Sequence, residues 1–379
     1  MKRTMLGVTA ASFGGGIISG CSRPLSGMRS GVTGGSQSTG RTGIVERNEK
    51  SELSFVVETD VREAAYRSLL PLSDTVAAAI GNRRVVIKPN AGVIGPEHRH
   101  EVADVNQLRG ILDFLKPLHD REIIVAEGTA AQAVSMSYGY VEYGYTALEK
   151  EYNVRLVDAN DLPTTTKWIL AGYHRPQPIN VINLYLDPDV FLISACRLKT
   201  SGGVLVTLSI KNIAMGSPVC HYRRNRNRKP RDLLERVEPR GLNEKANMHG
   251  GLGSKQGREL SYNIFTLAAM GIHPDLAVLD GVVGGEGNGP WSADPIEHGV
   301  ALASNDCVAA DRIASELMGV DYDYLQYMQW CAKAGIGRDD PGEVKYYGPD
   351  YKPYIKQYRL NANWERQVEW IHELRENMS

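Results

Sequence analysis

Short apolar runs alternate with helical patterns through the first half of this chain, and that alternation narrows its possible architectures most. Apolar runs at 54–57, 84–88, 122–127 and 154–158 read as buried strands. Between them lie helical patterns at 61–80 (interrupted at Pro71), 104–115 and 145–152. Strand, helix, strand repeated in this way predicts an α/β fold, a mostly parallel sheet covered by helices, in one body or two lobes. Apolar runs at 190–195, 204–210 and 300–303 continue the strand series, and 256–270 reads as a helix. Asn305-Asp306 caps a helix running to Met318, which Gly319 stops. Helical patterns at 322–334 and 364–377 close the chain, and no internal repeat is present.

The stretch Asp275-Leu-Ala-Val-Leu-Asp-Gly-Val-Val-Gly-Gly-Glu-Gly-Asn-Gly-Pro290 stands out. Leu276 to Leu279 form a strand, and the run stops at Asp280-Gly281. A loop is expected beyond it, with glycines at 284, 285, 287 and 289 and with Glu286 and Asn288 between them. A dinucleotide fingerprint requires its glycines to run into a helix, whereas these run into Pro290-Trp291. A Rossmann cofactor loop is therefore rejected. A long structural turn and a ligand-contacting loop both remain open.

The N-terminus reads as an export signal. Lys2-Arg3 precede an apolar, small-residue run, and Ile18-Ser19-Gly20 stand directly before Cys21. That order resembles a bacterial lipoprotein signal over residues 1–20, with Cys21 as the lipidated first residue of the mature chain. Residues 21–51 are rich in Gly, Ser, Thr and Arg and read as a flexible tether; 52–379 form the body. No other apolar run reaches the roughly 18 residues of a bilayer span. The expectation is an exported protein, periplasmic or at the cell surface, attached to the membrane by lipid on Cys21. Cys196, Cys220, Cys307 and Cys331 contain no C-x-x-C pair, so the chain has no iron–sulfur motif, and its cofactor is unknown. Cys196 and Cys307 read as plain buried thiols.

Several segments together carry a resemblance. They are Arg84-Val-Val-Ile-Lys-Pro-Asn90, Arg197-Leu-Lys-Thr200, Val206-Thr-Leu-Ser-Ile-Lys-Asn212, Pro274-Asp-Leu-Ala-Val-Leu-Asp-Gly281 and Glu286-Gly-Asn-Gly-Pro290. With Asp306-Cys-Val-Ala-Ala-Asp311 and Leu317-Met-Gly-Val320, they resemble the uncharacterised family catalogued as domain of unknown function 362, over about residues 84–340. The resemblance implies an α/β fold and little about activity. Some members carry ferredoxin-like cysteine clusters, which this chain lacks. Arg197-Leu-Lys-Thr200 also looks distantly similar to a Lys-Pro-His segment of proteins related to nickel-dependent lactate racemase. Thr200 and Ser201 stand in place of Pro and His here, so the nickel cofactor is not carried over.

Read without the family, five apolar runs end on ionisable groups: Lys88, Glu127, Lys199, Lys211 and Asp280. Open parallel sheets bind ligands at the carboxyl ends of their strands, so these groups are expected to converge there. Lys88, Lys199, Lys211, Asp280 and Glu286 are the candidate catalytic residues, for binding, proton transfer or, at Asp280 and Glu286, a base or metal ligand. Asn90, Glu127, Asn212 and Asn288 are candidate substrate-binding residues. Each alone also fits an ordinary solvated strand end. Net charge is −1 overall, yet residues 197–258 hold 14 Lys and Arg against 4 Asp and Glu. The basic run at 223–231 reads as a solvated, mobile loop; with Tyr222 as its one stacking aromatic, nucleic acid is disfavoured as a partner. His249 in a glycine-rich turn is an acid/base or ligand candidate with the same bland alternative. Two functions remain. One is an enzyme acting on a small anionic carboxylate or phosphate; the other is a non-catalytic anion-binding or redox-accessory lipoprotein.

Overall fold

A computed structural model describes residues 50–130, 134–171, 175–220, 245, 248, 249 and 256–378. Cys21, the signal, the tether as far as residue 49 and the basic loop at 222–231 lie outside the described residues. The expectation for the lipid anchor and for loop mobility therefore falls outside them as well.

The strands are β1 (Glu52–Val57), β2 (Arg84–Pro89), β3 (Ile123–Glu127), β4 (Val154–Asp158), β5 (Thr164–Ala171), β6 (Arg175–Ile182), β7 (Val190–Ser201), β8 (Leu205–Thr207), β9 (Leu276–Asn288), β10 (Ser292–Ser304) and β11 (Lys345–Tyr347). Nine of them make one sheet in the order β11-β1-β10-β9-β7-β2-β3-β4, with β8 paired to the far end of β7. From β9 to β4 all neighbours are parallel. On the other side β10 is antiparallel to β9 and to β1. The α/β, mostly parallel architecture expected from the alternation is the one observed. The described residues belong to one compact unit, so the body is not two lobes.

Both faces of the sheet are covered, which is why its strands are apolar runs rather than alternating ones. Val85 and Ile87 of β2 pack in one cluster with α1 (Val61–Leu69), α2 (Ser73–Ile80) and α3 (Val105–Leu115). Val86 points to the other face, beneath α6 (Ser209–Gly216), α7 (Gln256–Ala269) and α8 (Cys307–Leu317). Each Leu, Ile or Val so buried contributes about 1.5–3 kcal/mol. The helix starts are set by carboxylates: Asp60, Asp104 and Asp306 accept from the free amides of α1, α3 and α8. Pro71 lies in the short 3-10 turn that separates α1 from α2. All four described cysteines are buried thiols outside any disulfide.

The structure differs from the sequence reading in several places. The glycine-rich stretch is not a loop after Leu279: β9 runs on to Asn288 and pairs with β10, Gly284 opposite Ile296 and Gly287 opposite Ala293. Glycine there is a matter of room, since a Cβ on Gly284 would lie 2.2 Å from the Tyr358 hydroxyl. The apolar run at 204–210 is not one strand: β8 ends at Thr207, and α6 begins at Ser209. The cause is Asp311 on α8, whose carboxylate accepts from the Ser209 amide and hydroxyl and from the Ile210 amide. The pattern at 145–152 is only a 3-10 turn followed by the single turn α5 (Leu148–Glu151). The hairpin β5–β6 carried no clear apolar period and was not anticipated. No described helix is long and apolar enough to cross a membrane.

Candidate functional site

The carboxyl ends of β2, β3 and β7 meet the first turn of α6, and a cleft of about 590 Å³ opens there. Lys88 enters it from β2, Glu127 from the end of β3, Lys199 from β7 and Lys211 from α6. Lys88 is 1% exposed; its Nζ donates to Glu127 Oε2 at 2.8 Å and to Asn212 Oδ1 at 2.9 Å. Glu127 also accepts from the Ala91 and Gly128 amides, so one carboxylate ties together the loops leaving β2 and β3. Asn212 is held from behind, its Nδ2 donating to the Lys88 carbonyl and the Ser194 hydroxyl. The helix lies so close that a Cβ on Gly216 would sit 2.0 Å from Lys88 Cε. Only glycine allows α6 to press on that side chain.

A second set of amines faces the same space. Lys199 donates to Asn90 Oδ1 at 2.6 Å and to the Glu101 carbonyl. Asn90 in turn donates to Asn212 Oδ1 at 3.1 Å, linking the two sets. Lys211 donates to the Ser201 hydroxyl at 2.6 Å. Lys245, also lining the cleft, donates to the carbonyls of Gly128 at 2.9 Å and Thr129 at 3.2 Å. Burial disfavours the charged form of each amine. It pushes Lys199 down to about 8, partly offset by the Glu101 carboxylate. Burial and the nearby Lys199 push Lys211 down to about 7. Lys245 is pushed down to about 8, with Glu127 acting in the opposite direction. Among the described lining residues four lysines stand against one carboxylate, Glu127, which Lys88 already engages.

Lys88, Lys199 and Lys211 thus line one cleft, with Asn90, Glu127, Asn212, Asn288 and His249. Lys211 arrives there from a helix, not from a strand end. Asp280 and Glu286 are not among the lining residues, and here the sequence reading is corrected. Asp280 lies within β9 opposite Arg197 of β7, and its carboxylate is 3.7 Å from the Arg197 guanidinium. Arg197 also reaches Asp104 at 3.1 Å. Burial pushes the Asp280 carboxyl up to about 6, against the pull of Arg197. Glu286 accepts from the Arg359 amide at 2.9 Å and lies 3.6 Å from its guanidinium. Both carboxylates are committed to arginines, and among the described residues no cluster of three or more His, Cys, Asp or Glu is placed to hold a metal ion. Sequence reasoning missed Lys245 and Ser201 as cleft residues. Neither ends an apolar run, which was the signal used; Ser201 follows Lys199 by two in a fully buried strand.

A curated relative described as a thylakoid-associated protein, from Synechocystis sp., is 43% identical over 68 residues. That segment is 18% of this chain and 21% of the relative, so the chain matches about a fifth of that protein's length. No solved structure matches. The distant likeness to lactate-racemase-related proteins finds no support in these comparisons. The family described as domain of unknown function (DUF362) matches residues 85–316, more than half of the chain and the whole lysine-lined cleft from Lys88 to Trp291, and the chain belongs to that family.

Proposed function

We propose that the protein binds a small carboxylate or phosphate in this cleft and acts on it as an enzyme. The observation that carries the reading is the imbalance of four buried lysines against one carboxylate that is already paired. Buried amines crowd together at a cost unless an anion compensates them, so the cluster has its physical reason in a ligand. Lys199 and Lys245 are oriented by neutral oxygens and can receive the anion without losing a partner carboxylate. Lys211, pushed down to about 7, suits proton transfer near neutral pH. That suitability favours the enzyme over a non-catalytic anion carrier.

Inorganic phosphate and malonate should each raise the melting temperature, by the equivalent of about 2.7 kcal/mol at a hundredfold excess over Kd. The gain should shrink in Lys199→Ala and Lys245→Ala and persist in Lys116→Ala, an exposed residue of α3's C-terminal end. Equal gains in all four proteins would mean diffuse charge and no site.

We also propose attachment to a membrane by lipid on Cys21, at the periplasmic or cell-surface side. The Ile-Ser-Gly-Cys order supports it, and the relative's description as thylakoid-associated points toward membranes too. Cys21→Ala should release the protein from the membrane fraction; unchanged partitioning would refute the anchor.

A further inference from the structure

We propose that Lys211 is a nucleophile that forms an imine with the carbonyl carbon of a small oxo acid whose anionic group is held by the neighbouring lysines. The inference rests on the anion-binding reading above and names the substrate class for it.

Lys211 differs from the other three amines in what it touches. Lys88 donates to Glu127, Asn212 and the Pro89 carbonyl. Lys199 and Lys245 each have two oxygen acceptors, which suit an ordered ammonium. Lys211 has one, the neutral hydroxyl of Ser201 at 2.6 Å, and no carboxylate among the described residues. A hydroxyl can accept from an amine or donate to it, so it tolerates the neutral form as readily as the charged one. The backbone beneath is fixed: Lys211 sits in the first turn of α6, whose leading amides are held by Asp311. Ser201 is the last residue of β7. Burial next to Lys199 keeps a substantial share of the amine neutral at physiological pH. A desolvated lysine beside another cation is the environment that makes an amine a nucleophile towards carbonyls.

The step balances without a further reactant. The neutral Nζ adds to the carbonyl carbon, forming a C–N bond, and the C=O π pair moves to oxygen. A neighbouring ammonium, Lys199 or Lys245, protonates that oxygen. The neutral lysine so formed takes a proton from the added nitrogen and returns it to the hydroxyl; the nitrogen lone pair then forms C=N, the C–O bond breaks and one water leaves. The protonated imine is an electron sink, so the reaction class is cleavage of a C–H or C–C bond next to the former carbonyl carbon. The carboxylate or phosphate of the substrate meets the remaining lysines.

The test uses the full chain with pyruvate as probe and sodium cyanoborohydride, which reduces an imine to a stable secondary amine. The modified lysines are located by peptide mass spectrometry of the wild type, so the result does not depend on a variant folding. The expected result is a single dominant adduct at Lys211, suppressed by malonate and absent from Lys211→Met. Circular dichroism checks that this variant is folded. No adduct at Lys211, or adducts spread equally over surface lysines and insensitive to malonate, overturns the inference. If malonate still raises the melting temperature in that case, the anion-binding reading stands without it. If neither malonate nor pyruvate does, both fall.

Discussion

The Lys88 amine and the Glu127 carboxylate are 2.8 Å apart, and each side chain is only 2% exposed. Glu127 is also the acceptor for two main-chain amides, Ala91 and Gly128, at the loops that rim the cleft. The pair therefore acts as framework: it neutralises one lysine and leaves three others to face the ligand space. Removing one partner of a buried pair strands the other charge, at about 3–5 kcal/mol. Glu127→Ala should lose stability of that order in urea denaturation, and full retention of stability would mean that Lys88 finds another partner.

Arg197 and Asp280 form a looser pair away from the cleft, 3.7 Å apart with no hydrogen bond between the facing atoms and both nearly fully buried. This arrangement predicts a structural role for Asp280. Asp280→Ala should cost about 3 kcal/mol, since Asp104 remains to share the stranded Arg197. In the same variant the rise in melting temperature with malonate should match wild type. Unchanged stability with a lost malonate effect would return Asp280 to the ligand site.

The three depressed amines give stability a pH dependence of definite sign. Lysine in an unfolded chain titrates near 10.4, well above the values of about 7 for Lys211 and about 8 for Lys199 and Lys245. Between these limits the unfolded state binds more protons, so stability rises as pH rises towards about 10. Below about 7 the Lys211 penalty is at its full value. Lys211→Met removes that share, so relative to wild type it should gain stability as pH falls from 9.5 to 7. Chemical denaturation across that range measures it; parallel profiles would mean that Lys211 is no more shifted than a surface lysine.

Much of the fold was legible in the sequence because a sheet covered on both faces writes its strands as apolar runs. Runs at 84–88 and 122–127 correspond to β2 and β3 almost residue for residue. Where tertiary contacts set the outcome, the pattern was silent. The Asp311 carboxylate, a hundred residues away, starts α6 at Ser209. Pairing with β10 keeps the glycine-rich half of β9 extended. At the cleft, Lys88, Lys199 and Glu127 were readable as polar ends of apolar strands. Asp280 had the same local signature, and its commitment to Arg197 depends on the β7–β9 register, which no local pattern encodes. Lys245 had no signature at all.

Calorimetric titration of malonate into the wild-type protein at pH 8, in two buffers of different ionisation enthalpy, tests the central claim most directly. A bound anion favours the ammonium form of the shifted lysines, so binding should saturate at one site and take up protons. Affinity should drop by about tenfold or more, at least 1.4 kcal/mol, in Lys199→Ala and in Lys245→Ala, and hold in Lys116→Ala. Heats that never saturate, or saturable binding of equal affinity in all four proteins with no proton uptake, would contradict an anion site built from these lysines.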